Sequence, residues 1–173
     1  LDPETNLSVA EVYLPRGAAA VDAGKDQLWV TSEDSGRLTR VSPHTNEVIA
    51  EIAVGPRPAR LAVGEGGVWT LNGDATVTRV NPETNTVVAT IPLGDAIADG
   101  EIATGAGSVW VSAPGAPIVR IDPRSNRAVQ RFTGEGGGAI LVAHGSIWVN
   151  AGADATWRLD PKLVDVFKPC GDH

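Results

Sequence analysis

The sequence repeats itself about every forty residues, and this period limits the folds open to it. Four tryptophans stand between aliphatic or small residues and are spaced 40, 41 and 38 residues apart: Trp29, Trp69, Trp110 and Trp148. A proline that follows a short apolar–polar pair recurs in the same phase at Pro3, Pro43, Pro82, Pro123 and Pro161. Two marks in fixed phase predict tandem units, and a period of about forty residues is typical of four-stranded propeller blades.

One unit, residues 58–94, illustrates how such a blade would form. Apolar or alternating segments at 60–63, 68–71, 76–80 and 87–93 predict four strands, and residues 64–67 form a glycine-rich turn. Pro82 lacks a backbone donor and ends the third strand. We therefore predict an all-β, single-domain propeller of about four four-stranded antiparallel blades, at residues 18–55, 56–94, 95–134 and 135–173.

The two ends of the chain offer one outer strand too many for four complete blades. Residues 1–17 resemble the end of a third strand followed by an outer strand at 7–14, while residues 163–167 already offer a fourth strand to the last blade. This indicates a piece of a larger ring or, as the alternative, a homodimer in which a second chain completes the ring. The lack of methionine, with Leu1 inside a motif, also indicates a start within a longer product.

Composition excludes several classes of function. The net charge of −7 argues against binding to nucleic acid or to anionic lipid, and no apolar run is long enough to span a bilayer. Cys170 is the only cysteine, which excludes an internal disulfide and a cysteine-based metal site. A glycine- and threonine-rich propeller is expected to be secreted or periplasmic.

The repeat resembles the YVTN-type β-propeller repeat and, more loosely, the streptogramin-lyase-like propellers. The family unit runs aromatic-Val-x-Asn, then Gly-x-Val-x-Val-Ile-Asp, then Thr-Asn-x-Val-x-x-x-Ile-x-Val-Gly. It is met by residues 69–72, 75–81 and 84–94, and the first blade repeats it at 29–32 and 45–55. Tryptophan replaces the family's tyrosine, and four blades stand where such propellers usually have six to eight.

The resemblance implies a fold that serves both binding proteins and enzymes, so it does not decide function. Streptogramin-lyase chemistry, as the resemblance implies it, needs histidine and carboxylates near a divalent ion on the binding face. His44 and His144 fall in turns expected at the opposite end. A lyase-like enzyme therefore stays open only as the alternative, with additional blades or a second copy supplying the missing groups.

The phased tryptophans could form an aromatic binding cage, but a large apolar side chain at one position of every blade favours a structural role in the core. Trp157 is out of phase and freer to be exposed. Residues 134–139 match the glycine spacing of a dinucleotide-binding loop, yet a β-strand rather than a helix is predicted to follow. No G-x-S-x-G motif occurs, and we predict no catalytic residue.

The loops expected at the binding end are rich in carboxylates. They carry Glu33, Asp34, Asp74, Asp95, Asp99, Glu101, Glu135 and Asp154, with Arg16, Arg57 and Arg60 among them. Converging carboxylates could hold Ca²⁺ or Mg²⁺, although a solvated acidic surface without a cofactor is favoured. The arginines could receive a carboxylate or phosphate, or neutralise the acids.

We therefore predict a non-enzymatic binding or scaffold domain that presents its inter-blade loops to a protein or small ligand. The candidate ligand-binding residues are Glu33, Asp74, Asp95, Asp99, Glu101, Arg57 and Arg60.

Overall fold

A computed structural model describes residues 4, 8–94, 100–132, 136–151 and 154–162. These residues form fifteen strands in four antiparallel sheets, each ordered as its strands follow along the chain. The first sheet contains β1 (Ala18–Gly24), β2 (Gln27–Ser32), β3 (Arg37–Val41) and β4 (Val48–Ala53), and the second contains β5 (Arg60–Gly64), β6 (Gly67–Leu71), β7 (Thr76–Asn81) and β8 (Thr86–Pro92). The third contains β9 (Glu101–Gly105), β10 (Ser108–Ser112), β11 (Ile118–Asp122) and β12 (Arg127–Phe132), and the fourth contains β13 (Ile140–Ala143), β14 (Ser146–Ala151) and β15 (Ala155–Leu159).

Each sheet is one blade, and the all-β propeller fold predicted from the repeat is confirmed. The innermost strands of successive blades are neighbours, so that β1 lies beside β5, β5 beside β9 and β9 beside β13. The described residues include no helix, and hence none that could cross a membrane.

The core lies between the faces of adjacent blades rather than inside one closed layer. Between the first and second blades, Trp29, Leu38 and Ile52 pack against Leu61, Val68 and Val80. Corresponding apolar sets fill the next two interfaces. Trp29, Trp69 and Trp110 are almost wholly buried, as expected for core residues, whereas Trp148 is half-buried and Trp157 is exposed.

The first three blades share a local irregularity in their third strands. The register between the third and fourth strands shifts at Arg40/Val41, Arg79/Val80 and Arg120/Ile121. A β-bulge at the same place in each blade bends the outer strand and re-aims nearby side chains. The repeat is thus preserved in backbone geometry as well as in sequence.

The antiparallel order gives the propeller two distinct ends. At the turn end, tight turns join the first strand to the second and the third to the fourth. At the loop end, longer connections join the blades, together with the turns between second and third strands. His44 and His144 both lie in turns at the turn end, as predicted.

The expected outer strand at residues 7–14 is wrong for its described part. Residues 8–17 include no strand, and Val9 and Tyr13 are exposed. An outer strand is held on one side only, by the third strand of its blade, and the described chain places no such strand beside this segment. The fourth strand expected at 163–167 lies outside the described residues.

Candidate functional site

The loop end brings together two of the predicted binding residues, Arg60 and Glu101. The Nε atom of Arg60 donates to Oε1 of Glu101 at 2.7 Å, and both side chains are partly exposed. Each residue opens the innermost strand of its blade, so the pair joins the second blade to the third. Because the pair is accessible to water, it contributes little to stability but presents a cation and an anion side by side.

Arg57 projects from a loop that is fixed by the neighbouring turn. The carbonyl oxygens of Pro56 and Arg57 accept the Gly73 N–H at 2.8 and 3.1 Å. A Cβ atom on Gly73 would lie 2.9 Å from Cβ of Arg57, so this close approach requires glycine. Arg57 is exposed and adopts φ 47°, and its backbone carbonyl is held by the Gly73 N–H.

Two of the predicted acidic residues, Asp74 and Glu33, lie on turns between a second and a third strand, where the Asp74 side chain and the Glu33 backbone make local hydrogen bonds. Oδ1 of Asp74 accepts the Thr76 hydroxyl at 2.6 Å. The Glu33 N–H donates to the Gly17 carbonyl at 2.7 Å, which ties this turn to the segment before β1. Asp74 is exposed and Glu33 half-buried, and both remain near the surface of the loop end.

A metal centre is not assembled from the residues that the structure describes. Within those ranges, no three His, Cys, Asp or Glu side chains come close enough together to hold an ion. Asp95, Asp99 and Glu135 lie outside the described residues. Binding of Ca²⁺ or Mg²⁺ by this end therefore stays a prediction.

Asn72 organises the loop end of the second blade and was missed by the sequence reasoning. Its side chain is buried; Oδ1 accepts the Thr70 hydroxyl, and Nδ2 donates to the hydroxyls of Thr76 and Thr78. A Cβ atom on Gly55 would collide with the Asn72 amide. A fully satisfied buried network of this kind fixes the turn that carries Asp74.

A repeated arginine was also missed. In every blade an arginine on the third strand lies over the phased tryptophan on the second, with Cζ 4.9–5.6 Å from the ring centroid: Arg40, Arg79, Arg120 and Arg158. The signal was present in the sequence, because these arginines recur 39, 41 and 38 residues apart. Each pair stands directly opposite in the strand register, which allows a cation–π contact.

Two of these arginines also connect neighbouring blades at the turn end. Nη1 of Arg40 donates to the Pro82 carbonyl at 2.8 Å and to Oδ1 of Asn85 at 3.0 Å. Arg79 makes the same contacts one blade further on, with Pro123 at 2.5 Å and Asn126 at 2.8 Å. At the first two junctions the Pro-x-x-Asn turn is thus the acceptor for the arginine of the preceding blade, and we call this contact the clamp; the fourth repeat has Val164 in place of the asparagine.

Among the described residues, two carboxyl groups at the turn end, those of Asp122 and Glu83, have a lowered pKa. Backbone N–H groups of Arg124 and Ser125, with the Ser125 hydroxyl, donate to Asp122 and hold the pKa of its carboxyl below the ordinary value of 3.8. A hydrogen bond and ion pair with Lys25 at 2.7 Å lower the pKa of Glu83. Both groups lie in turns, and the Glu83–Lys25 contact joins the second blade to the first.

A scan of protein-family models gives no match to the sequence, and a search of curated proteins gives none. Many solved structures have a similar fold. Hydrazine synthase from Kuenenia stuttgartiensis superposes with a TM-score of 0.66 at 19% identity, over 88% of this chain and 52% of that one. Streptogramin B lyase gives 0.69 at 16% identity, over 87% and 58%. BamB from Moraxella catarrhalis gives 0.61 at 14% identity, over 77% and 40%.

These similarities establish the propeller-repeat fold and leave function open, because the identities are low and such folds carry unrelated functions. The chain spans 40–58% of the length of the three proteins.

Proposed function

We propose that this propeller is a non-enzymatic binding or scaffold domain whose loop end recognises a protein or a small polar ligand. One observation carries the proposal. The repeated tryptophans and arginines are used in contacts within and between blades, whereas Arg60 and Glu101 depart from the repeat and lie together at the loop end. The same register position holds Ala20 in the first blade and corresponds to Ala139 in the fourth.

The chemistry of the loop end supports recognition of a polar group. An exposed arginine such as Arg57 can bind a carboxylate or phosphate through two parallel N–H···O bonds. The Arg60–Glu101 pair offers a donor and an acceptor that a ligand can separate at small cost, because a partly exposed ion pair is worth only about 1 kcal/mol. Loops on a rigid scaffold commonly carry binding residues.

Capture experiments with matched variants test this proposal. The immobilised chain is exposed to an extract and a culture supernatant of the source organism, beside variants R57A/R60A/E101A and K25A/E83A. The Lys25–Glu83 pair is the control, since it is an exposed ion pair of the same 2.7 Å length at the turn end. We expect a partner retained by the wild type and K25A/E83A and lost by the loop-end variant. Equal retention by all three would exclude the loop end as the binding surface.

A streptogramin-lyase-like enzyme is the alternative, and the similarity in fold is its support. Such an enzyme would require further blades or a second copy to supply a histidine, since the described His44 and His144 lie at the turn end. It would also use Ca²⁺ or Mg²⁺ held by carboxylates of the loop end. Incubation with streptogramin B and either ion tests this reading, with unchanged antibiotic expected. Cleavage of the antibiotic would replace the binding proposal with the enzymatic one.

We also propose that the protein is secreted or exported to the periplasm.

A further inference from the structure

On the first blade, the face directed away from the second blade is apolar, and no described part of the chain covers it. We call the side that a blade turns towards the preceding blade its leading face, and the opposite side its trailing face. Val21 occupies the register position that Leu61 holds in the second blade and Ile102 in the third. Leu61 and Ile102 are each 8% exposed because they pack on the preceding blade, whereas Val21 is 66% exposed.

The trailing face of the fourth blade is uncovered in the corresponding way. Leu141 stands where the second blade has Ala62, which is 5% exposed, yet Leu141 itself is 60% exposed. Beside it Trp148 is half-buried, unlike the three preceding tryptophans. The larger side chain at this position makes the fourth blade more apolar on the side where no described blade covers it.

The two halves of a clamp are present on these faces. Arg158 is exposed and its Cζ lies 5.6 Å from the centroid of Trp148, an arrangement that all four blades share and from which Arg40 and Arg79 also reach the next blade. At the other end, Asn46 is exposed with φ 59°, close to the 56° and 55° of the acceptors Asn85 and Asn126. The fourth blade therefore carries the donor of a clamp, and the first blade carries the acceptor.

We propose that the trailing face of the fourth blade binds the leading face of the first blade in a second copy of this chain. In that contact Leu141 packs near Val21, and Arg158 donates to the Pro43 carbonyl and to Oδ1 of Asn46. The occupant is a second copy because this chain carries both complementary faces, and they match the pairs that already join its own blades. Unlike faces make a head-to-tail contact, and two such contacts close a ring of eight blades.

The mass of the chain in solution, measured by light scattering, tests this inference independently of any ligand. The wild type is expected to have twice the mass of one chain. Val21→Glu and Leu141→Glu, which change exposed side chains on opposite faces, should each give the mass of one chain. Val21→Glu and Leu141→Lys combined in one chain should restore the doubled mass, because each of the two contacts in the closed ring then sets a carboxylate against an ammonium group. Val88→Glu is the control, since Val88 is 48% exposed on the outer strand β8.

Arg158→Ala should raise the dissociation constant of the dimer at least tenfold, because it removes charge-assisted hydrogen bonds to the partner. A wild type with the mass of one chain would overturn the inference. A dimer that is abolished by only one of the two glutamate variants would also overturn it, since that result indicates contact between two identical faces. Circular dichroism of every variant establishes that a loss of mass reflects dissociation and not unfolding.

Discussion

The turn end and the loop end of this propeller differ in how closely they follow the repeat. At the turn end, the Nη1 atoms of Arg40 and Arg79 make equivalent hydrogen bonds, each to the Pro-x-x-Asn turn of its own next blade. At the loop end, the register position at the start of the innermost strand is not repeated. It holds Ala20 in the first blade, Arg60 in the second and Glu101 in the third, and it corresponds to Ala139 in the fourth. Contacts that recur from blade to blade are what stacking of successive blades requires, whereas the partly exposed Arg60–Glu101 pair joins the second and third blades only. The comparison therefore separates residues that build the fold from residues available for recognition.

The largest effect is expected from the phased tryptophans. Trp69→Ala would empty a fully buried site between the second and third blades and should lower the free energy of unfolding by about 4 kcal/mol. Trp157→Ala is the matched control, because this exposed, out-of-phase tryptophan should cost less than about 1 kcal/mol. Urea unfolding followed by circular dichroism compares the two. Similar losses of unfolding free energy for both variants would show that the position of a tryptophan in the repeat does not predict how much its burial stabilises the protein.

The clamp should give the next largest effect. Arg79→Ala removes the contact with Trp69 and the hydrogen bonds to Pro123 and Asn126, at an expected cost of about 2 kcal/mol. A double-mutant cycle with Asn126→Ala isolates the contact between blades, and we expect a coupling free energy of about 1 kcal/mol. Additive effects of the two substitutions would mean that the turn is held by something other than the clamp.

A smaller, pH-dependent effect is expected from the turn at Asp122. Its pKa is lower in the folded protein than in the unfolded chain, so the carboxylate stabilises the fold above its ordinary pKa. That contribution is lost as the pH falls through the folded-state value. Asp122→Asn keeps an acceptor that does not titrate, as Asn81 does in the second blade, where it accepts the Glu83 N–H at 2.8 Å.

We therefore expect the wild type to be more stable than D122N at neutral pH, and the difference to shrink as the pH falls from about 5 to about 3. Urea midpoints at several pH values measure this difference. Glu51→Gln, which removes one exposed negative charge elsewhere, is the control. An unchanged acid sensitivity in D122N would place the pH dependence in other groups.

Much of the fold could be predicted because the repeat shows each element several times. The strands of the second blade begin and end within about a residue of their predicted bounds, since glycine turns and Pro82 mark them clearly. The outer strand expected at residues 7–14 is wrong for residues 8–14, because such a strand needs a neighbouring strand and none of the described strands lies beside this segment.

The candidate site was harder to predict than the fold. Arg60 and Glu101 are 41 residues apart, and only their shared register position in successive blades explains why they meet. The arginines of the clamp were detectable from spacing, but their acceptors lie one blade further on. A contact between repeats is visible only when two repeats are compared in space, which is why Arg79 and Asn126 escaped a reading of one repeat at a time.

The central claim is that the repeated residues hold the blades together while the loop-end pair adds little to stability. Its most direct test is the free energy of unfolding of R60A/E101A measured beside R79A under the same conditions. The account predicts a change within about 0.5 kcal/mol for R60A/E101A and a loss of about 2 kcal/mol for R79A. A loss in R60A/E101A as large as that in R79A would contradict it and would make the loop-end pair part of the structural framework.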